Sequence, residues 1–345
     1  MFEMIIMDPK PTIVIDLGSG STKAGLADNE YPTCTIPSAD EALKFPIEHG
    51  IIQDFDQVEK LLERVFVKEL QLKPEEHPIL LTQPPKNPQK DKEKLAEILF
   101  EKFNVPALYE EVHSVLTFYA SGRSAGVIVE SGHGVTSVVP ILSGYAISEA
   151  ILRLDIGGKD LNQYLIDQLA NGPSNELISL QEAQILKEKL CFIPETNSTS
   201  TSAECYTLPD GRNINLDSPG QITDPLFNPA LVGQYDTYGL HEMIFHSIFK
   251  CGFDLRREFA SNIVLSGGNT LFRGLETRLR QELESRVPPS MKVNIIADSD
   301  REIFVWRGGS IVGGLSSFYK NICVLRQEYE EFGAVVVRKK CMNGL

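Results

Sequence analysis

The sequence predicts an α/β protein built as two lobes with mixed sheets. Three observations predict it: a length of 345 residues with a globular composition, β-branched runs that alternate with amphipathic helical stretches, and a strand, glycine-turn, strand pattern that occurs twice. A chain of this length outgrows one ordinary hydrophobic core, so two lobes are the expectation. Hydrophobic content of 42% and charged content of 23% belong to a globular chain rather than a disordered one. Strands interleaved with helices give a mixed α/β fold with ligands at the strand ends.

Taken in order, Thr12 to Leu17 is a β-branched apolar run that stops at glycines, the pattern of a buried strand entering a tight turn. Gln89 to Phe103 sets Leu95, Ile98, Leu99 and Phe103 on one helical face, after a loop marked by Pro84, Pro85 and Pro88. Tyr109 to Tyr119 reads as a helix that Gly122 ends. Val127 to Glu130 is a second strand entering a second glycine turn. Asn197 to Ala203 reads as a polar surface loop. Asn262 to Leu265 reads as a strand, Ser266 to Asn269 as a turn, and Leu271 to Glu284 as a helix.

The net charge of -14 argues against direct nucleic-acid contact, which relies on Lys and Arg neutralising phosphates. The one basic cluster, Arg338-Lys339-Lys340, reads as a solvated tail end. The six cysteines are scattered without a CxxC pair, neither a zinc nor a disulfide pattern, and they suit a reducing compartment. Residues 1 to 7 are apolar, but Asp8-Pro9 closes them before a signal-peptide core forms, and no run is long enough to cross a bilayer. The expected location is cytoplasmic or nuclear.

Ile-Asp-Leu-Gly-Ser-Gly from Ile15 and Val-Glu-Ser-Gly-His-Gly from Val129 share the order apolar, acid, x, Gly, x, Gly. Glycine supplies positive φ in a tight hairpin and clears the way for consecutive N–H groups to converge on an anion. Ser19, Ser21 and Thr22 add hydroxyl donors, and Lys23 adds a point charge suited to phosphate. Asp16 ends the first strand where it could hold the waters of Mg²⁺. Either turn alone reads more simply as a plain hairpin; the pair, with Lys23 beside the first, points to phosphate. Leu265-Ser-Gly-Gly-Asn-Thr270 is a third glycine-rich turn, which alone reads as a strand-to-helix connection.

Several longer motifs then resemble the actin-related proteins. They are Phe45-Pro-Ile-Glu-His-Gly-Ile51, Pro74-Glu-Glu-His-Pro78, Phe118-Tyr-Ala-Ser-Gly-Arg123 and Lys187-Glu-Lys-Leu-Cys191, followed by Val264-Leu-Ser-Gly-Gly268, Val305-Trp306 with Gly308-Gly-Ser-Ile311, and Gln327-Glu-Tyr329. The resemblance runs from Thr12 almost to the C-terminus. It implies the actin-like fold (ribonuclease H-like, actin ATPase), with mixed sheets in two lobes hinged around ATP or ADP and Mg²⁺, with Ca²⁺ as the alternative. The first lobe would be residues 1–120 plus 304–345, and the second 121–303, with 157–233 as its smaller subdomain. Gly18, Ser19, Gly20, Ser21 and Lys23 would face the phosphates from one lobe, and Gly132, His133, Gly134 and Val135 from the other. Gly158, Lys187, Glu188, Gly267, Gly268, Asn269 and Phe272 would line the nucleoside. Asp16 and Glu130 would sit near the cation, acting through water.

The chain departs from the family where hydrolysis is implied. Actins carry a water-orienting glutamine where His113 stands and an aspartate where His133 stands. The acid opening that turn is aspartate in actins and Glu130 here, and a following histidine is Ser137. Because positioning is most of this catalysis, four changes together favour slow or absent hydrolysis over a rebuilt histidine mechanism. Beside phosphate, His133 would tend to be protonated and act as a counter-charge. Glu302 replaces a lysine that neighbours the adenine. Between Ser38 and Phe45 the family's subunit-inserting loop is missing, leaving a remnant at 38–45, while Ser143-Gly-Tyr-Ala-Ile147 and Gln327 to Phe332 retain the opposite face. The expectation is a non-polymerising subunit of a larger cytoskeletal complex that has lost or weakened its ATPase. Its partners would be other proteins, possible positions being an actin or actin-like filament end, a ciliary complex or a nuclear one, with no membrane contact. A divergent polymerising ATPase is the alternative, and a small-molecule kinase of the same fold ranks last.

Overall fold

The structure, a computed structural model, describes residues 10–39, 44–172, 176–195 and 203–341. Residues 1 to 7, the middle of the Ser38–Phe45 interval and most of the 197–203 loop lie outside these ranges. The chain forms two compact units, one of Met1–Gly122 with Ile303–Leu345 and the other of Arg123–Glu302.

The first unit opens with β1 (Ile13–Leu17), β2 (Ser21–Leu26) and β3 (Cys34–Pro37), each antiparallel to the next. A small hairpin follows, β4 (Ile47–Glu48) and β5 (Ile51–Ile52), whose two-residue tip His49-Gly50 takes φ of 46° and 73°. Positive φ at both positions is the turn that matches strand twist. Helix α1 (Phe55–Arg64) starts at Asp54, whose carboxylate accepts from Gln57 N at 3.0 Å, and runs on into a π-helical turn, Val65–Leu70. Strand β6 (Ile79–Gln83) lies parallel to β1, and β7 (Ala107–Val112) parallel to β6. Between these strands run α2 (Gln89–Glu97) and a second π-helical turn, Ile98–Lys102. β1, β6 and β7 are buried at every position, as expected of strands covered on both faces. The helix expected over Tyr109–Tyr119 is therefore half strand: α3 spans only His113–Ser121 and ends at Gly122 with φ 64°. Five-residue pairing with β6 overrides the helical preference of Glu110-Glu111.

The second unit repeats the hairpin as β8 (Ala125–Ser131) and β9 (Thr136–Leu142). Short strands β10 (Tyr145–Ala146) and β11 (Leu152–Leu154) pair with β9. Helix α4 (Gly158–Asn171) packs on α5 (Leu180–Leu190), which opens with a capping box: Ser179 N donates to Glu182 at 2.6 Å and Glu182 N to Ser179 Oγ at 3.3 Å. A separate hairpin, β12 (Glu204–Thr207) and β13 (Asn213–Leu216), precedes α6 (Leu240–Lys250) and α7 (Arg256–Ala260). Strand β14 (Ile263–Ser266) runs parallel to β8, and β15 (Ile295–Ile296) parallel to β14, giving the order β10-β9-β8-β14-β15. Helix α8 is Leu275–Glu284, four residues shorter at its start than expected. Gly274 takes φ 92° against the Ile193 carbonyl, and a single 3₁₀ turn, Gly268–Leu271, precedes it.

The chain then returns to the first unit. Helix α9 (Phe304–Gly313) crosses α3 so closely that a Cβ on Gly308 would overlap the Leu116 carbonyl. It brings Trp306 into the core, fully buried and donating its indole N–H to Val14 O at 3.2 Å. Strand β16 (Val324–Leu325) pairs with β7 and completes the order β16-β7-β6-β1-β2-β3. Helices α10 (Arg326–Phe332) and α11 (Val336–Lys340) close the unit. The basic cluster is solvated at Arg338 and Lys339, as expected, but it is an anchored helix rather than a loose tail end. Val336 and Val337 anchor it, Arg338 pairs with Glu93, Lys339 lies over the Phe332 ring, and Lys340 reaches Glu328 at 2.7 Å. No helix among the described residues is long and apolar enough to cross a membrane.

Candidate functional site

In the first unit, the parallel strands β1 and β6 end side by side, with Ile15 opposite Leu81. The next residues are Asp16 and Thr82, and β7 ends at Val112 just before His113. This is the carboxyl edge of the sheet, where open α/β sheets take ligands. Asp16 is buried, and Thr82 Oγ donates to its Oδ1 at 2.8 Å. Lys23, opposite it across the β1–β2 hairpin, donates Nζ–H to Oδ2 at 3.2 Å. His113 Nε2 stands 3.8 Å from Oδ1 and has no hydrogen-bond partner among the described residues. Lys23 thus has a carboxylate partner that the sequence reading, which gave it to phosphate, did not assign.

Burial alone would raise the Asp16 carboxyl, but the Lys23 ammonium first, then His113 and the Thr82 hydroxyl, outweigh it and hold it below its ordinary range. Burial, assisted by Lys23 and opposed by Asp16, lowers His113. His113 is therefore neutral near pH 7, and Lys23 is the charge that keeps Asp16 ionised there.

The glycines of both turns work differently from expectation. None of Gly18, Gly20, Gly132 and Gly134 has positive φ. Gly18 is needed instead for space, because its Cβ would lie 2.7 Å from Ser21 O. The first turn is braced from outside. Ser38 Oγ donates to Gly18 O at 2.7 Å, Ser38 N to Gly20 O at 3.1 Å, and Gly50 N to Ser19 Oγ at 3.1 Å. The backbone N–H groups of Ser19 and Gly20 have no protein acceptor among the described residues, and Ser21 stands half-buried beside them. Two free N–H donors, adjacent hydroxyls and a hard carboxylate oxygen fit a phosphate with a hydrated divalent cation.

In the second unit the turn is held by the start of α4. Gly132 N closes on Val135 O at 3.0 Å, while Gly158 N donates to Gly132 O at 2.9 Å and Lys159 N to His133 O at 2.8 Å. Lys187 Nζ, buried, donates to Gly158 O at 2.8 Å. Asn269 Nδ2 donates to Gly132 O at 2.9 Å and to Ser131 Oγ at 3.2 Å. Gly267, at φ 89°, would place a Cβ 2.5 Å from Ser131 O, so only glycine fits. Gly132, His133, Gly134, Val135, Gly158, Lys187, Gly267 and Asn269 thus form one neighbourhood, with exposed Gly268 at the rim and Phe272 packed beneath.

Glu130 is buried on β8 opposite Ser137, also buried. Glu188 faces solvent and accepts from Gln184 at 2.9 Å, apart from that cluster. Glu302 is exposed beside Arg301, whose guanidinium donates to Thr270 O at 2.8 Å. Burial first, then Lys187 and Lys159, lower His133 to about 4. Burial brings Lys187 down to about 8. Among the described residues no group of three or more His, Cys, Asp or Glu could hold a metal ion.

The sequence reading missed Thr82, Ser38, Gly50 and Lys159. Only the position of Thr82 at the end of an apolar run offered a signal.

The fold defines the class: an α/β protein of two units, each with a mixed sheet whose first hairpin carries a glycine turn. The chain belongs to the actin family, whose model, described as Actin, matches residues 39–342. Its fold is the two-lobed actin-like fold. The second turn, α4, Lys187 and the 267–272 turn lie inside the matched stretch, whereas Asp16 to Lys23 precede it.

Proposed function

We propose that this actin-family chain binds ATP or ADP with Mg²⁺ (Ca²⁺ being the alternative), hydrolyses it slowly or not at all, and serves as a non-polymerising structural subunit of a larger cytoskeletal assembly. The observation that carries the reading is the state of the two histidines. His113 lies 3.8 Å from the Asp16 carboxylate and is held neutral by burial and Lys23, and His133 is lowered to about 4. A general base works best with a pKa near the operating pH, so His133 is a poor proton acceptor from water, and burial weakens His113 in the same direction. Ser19, Gly20 and Lys23 in one unit, and Gly132 to Val135 with Lys187 in the other, are the residues that would hold phosphate and nucleoside. Asp16 and Glu130 would hold the hydrated cation, whose chemistry there is charge neutralisation of the phosphates.

The short interval between Ser38 and Phe45 supports the non-polymerising part of the reading, since the sequence there is too short for the family's subunit-inserting loop. A cytoplasmic, cytoskeletal location and a position at an actin or actin-like filament end follow from the same reading.

The test is one preparation of the purified chain, stripped of nucleotide and titrated with ATP in Mg²⁺. Saturable binding with phosphate release near the uncatalysed background, and no sedimenting polymer, is the expected result. Sustained turnover, or filaments that pellet, would overturn it.

A further inference from the structure

The geometry points to Thr82 as a positioning residue for Asp16, one that keeps the carboxylate aimed at a cation; this rests on the nucleotide reading above. A carboxylate swings about its Cβ–Cγ bond unless both oxygens are held. Here Thr82 Oγ holds Oδ1 at 2.8 Å and Lys23 Nζ holds Oδ2 at 3.2 Å. Thr82 is 2% exposed, so its hydroxyl has little access to solvent. It sits on β6, one step past the Ile15–Leu81 pair, so backbone register fixes the donor. Outer hydrogen bonds of this kind orient the groups that bind metals.

The second part of the argument is competition. His113 Nε2 stands 3.8 Å from the same Oδ1 with no hydrogen-bond partner among the described residues. With the Thr82 hydroxyl gone, Oδ1 is left with an open lone pair, and the neutral His113 ring, 3.8 Å away, can donate an Nε2–H to it. Asp16 would then turn toward α3, away from the first glycine turn. Thr82 thus both aims the carboxylate and keeps His113 from capturing it.

The test compares ATP affinity in Mg²⁺ and in chelator for wild type, Thr82→Val and Thr82→Ser, each checked for folding by the emission of buried Trp306. Thr82→Val keeps the shape and removes the hydroxyl, and Thr82→Ser keeps the hydroxyl. The expected result is that the Mg²⁺-dependent gain in affinity falls about tenfold in Thr82→Val, the scale of one lost hydrogen bond to a charged group. Affinity in chelator should stay within about twofold, and Thr82→Ser should restore the gain. Thr82→Ala carries the same comparison if the valine variant does not fold. An unchanged Mg²⁺ gain in the hydroxyl-free variant overturns the role of Thr82, as does an equal loss with and without Mg²⁺. A wild type that binds no nucleotide in either condition overturns the functional reading itself, and this inference with it.

Discussion

Replacing Glu110 with Gln should flatten the pH dependence of stability between about pH 6 and about pH 8. Glu110 lies on β7, 2% exposed; Gln83 donates to one carboxyl oxygen, and the other has no partner among the described residues. Burial pushes its carboxyl from 4.5 up to about 8, only partly opposed by Lys92 and the Gln83 hydrogen bond. The folded pKa is raised, so the folded chain holds a proton that the unfolded chain releases. The stabilisation is fully present below the unfolded value and is lost as pH climbs toward the folded one. At about 1.36 kcal/mol per unit, this one group removes about 2 kcal/mol of stability between about pH 6 and about pH 8. The chain has a single tryptophan, Trp306, buried in the same unit, so its emission during urea unfolding reads that unit directly. The wild-type and Glu110→Gln curves should diverge by about 2 kcal/mol over this interval. Parallel curves would refute the argument, because they would mean that Glu110 is ionised in the folded chain.

Two further substitutions probe the second unit. Asn162 on α4 is fully buried, with neither amide atom hydrogen-bonded among the described residues. Asn162→Leu should therefore raise stability by about 1–3 kcal/mol in urea or thermal unfolding, and a loss would show that the amide is satisfied. Gly267→Ala forces a Cβ toward Ser131 O at φ 89°. It should lower stability by about 1–3 kcal/mol and weaken ATP binding, measured by unfolding and by titration; wild-type behaviour in both would show that the turn is pliable.

What was legible in the sequence was local. The run Thr12 to Leu17 gave β1 because β-branched apolar residues on both faces suit only a covered strand. Both glycine hairpins and the stop at Gly122 were visible for the same local reason. Strand β7 was not, since Glu110-Glu111 looks like a solvated helix face. Its burial depends on partners elsewhere: Tyr109 OH donates to Glu111 at 2.5 Å, and Gln83 on β6 reaches Glu110. The role of Thr82 was not legible beyond its place at the end of an apolar run, because its acceptor, Asp16, lies 66 residues earlier. The turn glycines were placed correctly but for the wrong cause, as crowding by neighbouring carbonyls, and not backbone sign, is what excludes a side chain at Gly18. The start of α8 was missed because the Ile193 carbonyl that shapes Gly274 comes from a distant segment.

The order in which a ribosome delivers this chain conflicts with the order in which its cores close. The second unit, 123–302, is synthesised as one uninterrupted stretch, whereas the first waits for Trp306 and the rest of α9. At about 5–20 residues per second, the 180 residues from 123 to 302 take roughly 10–40 s to emerge. For that time the apolar faces of β1 and β6 lack the helix that seals them. A nascent chain in this condition is sticky, so yield in cells should depend on chaperones that shield the early half until the last segment arrives.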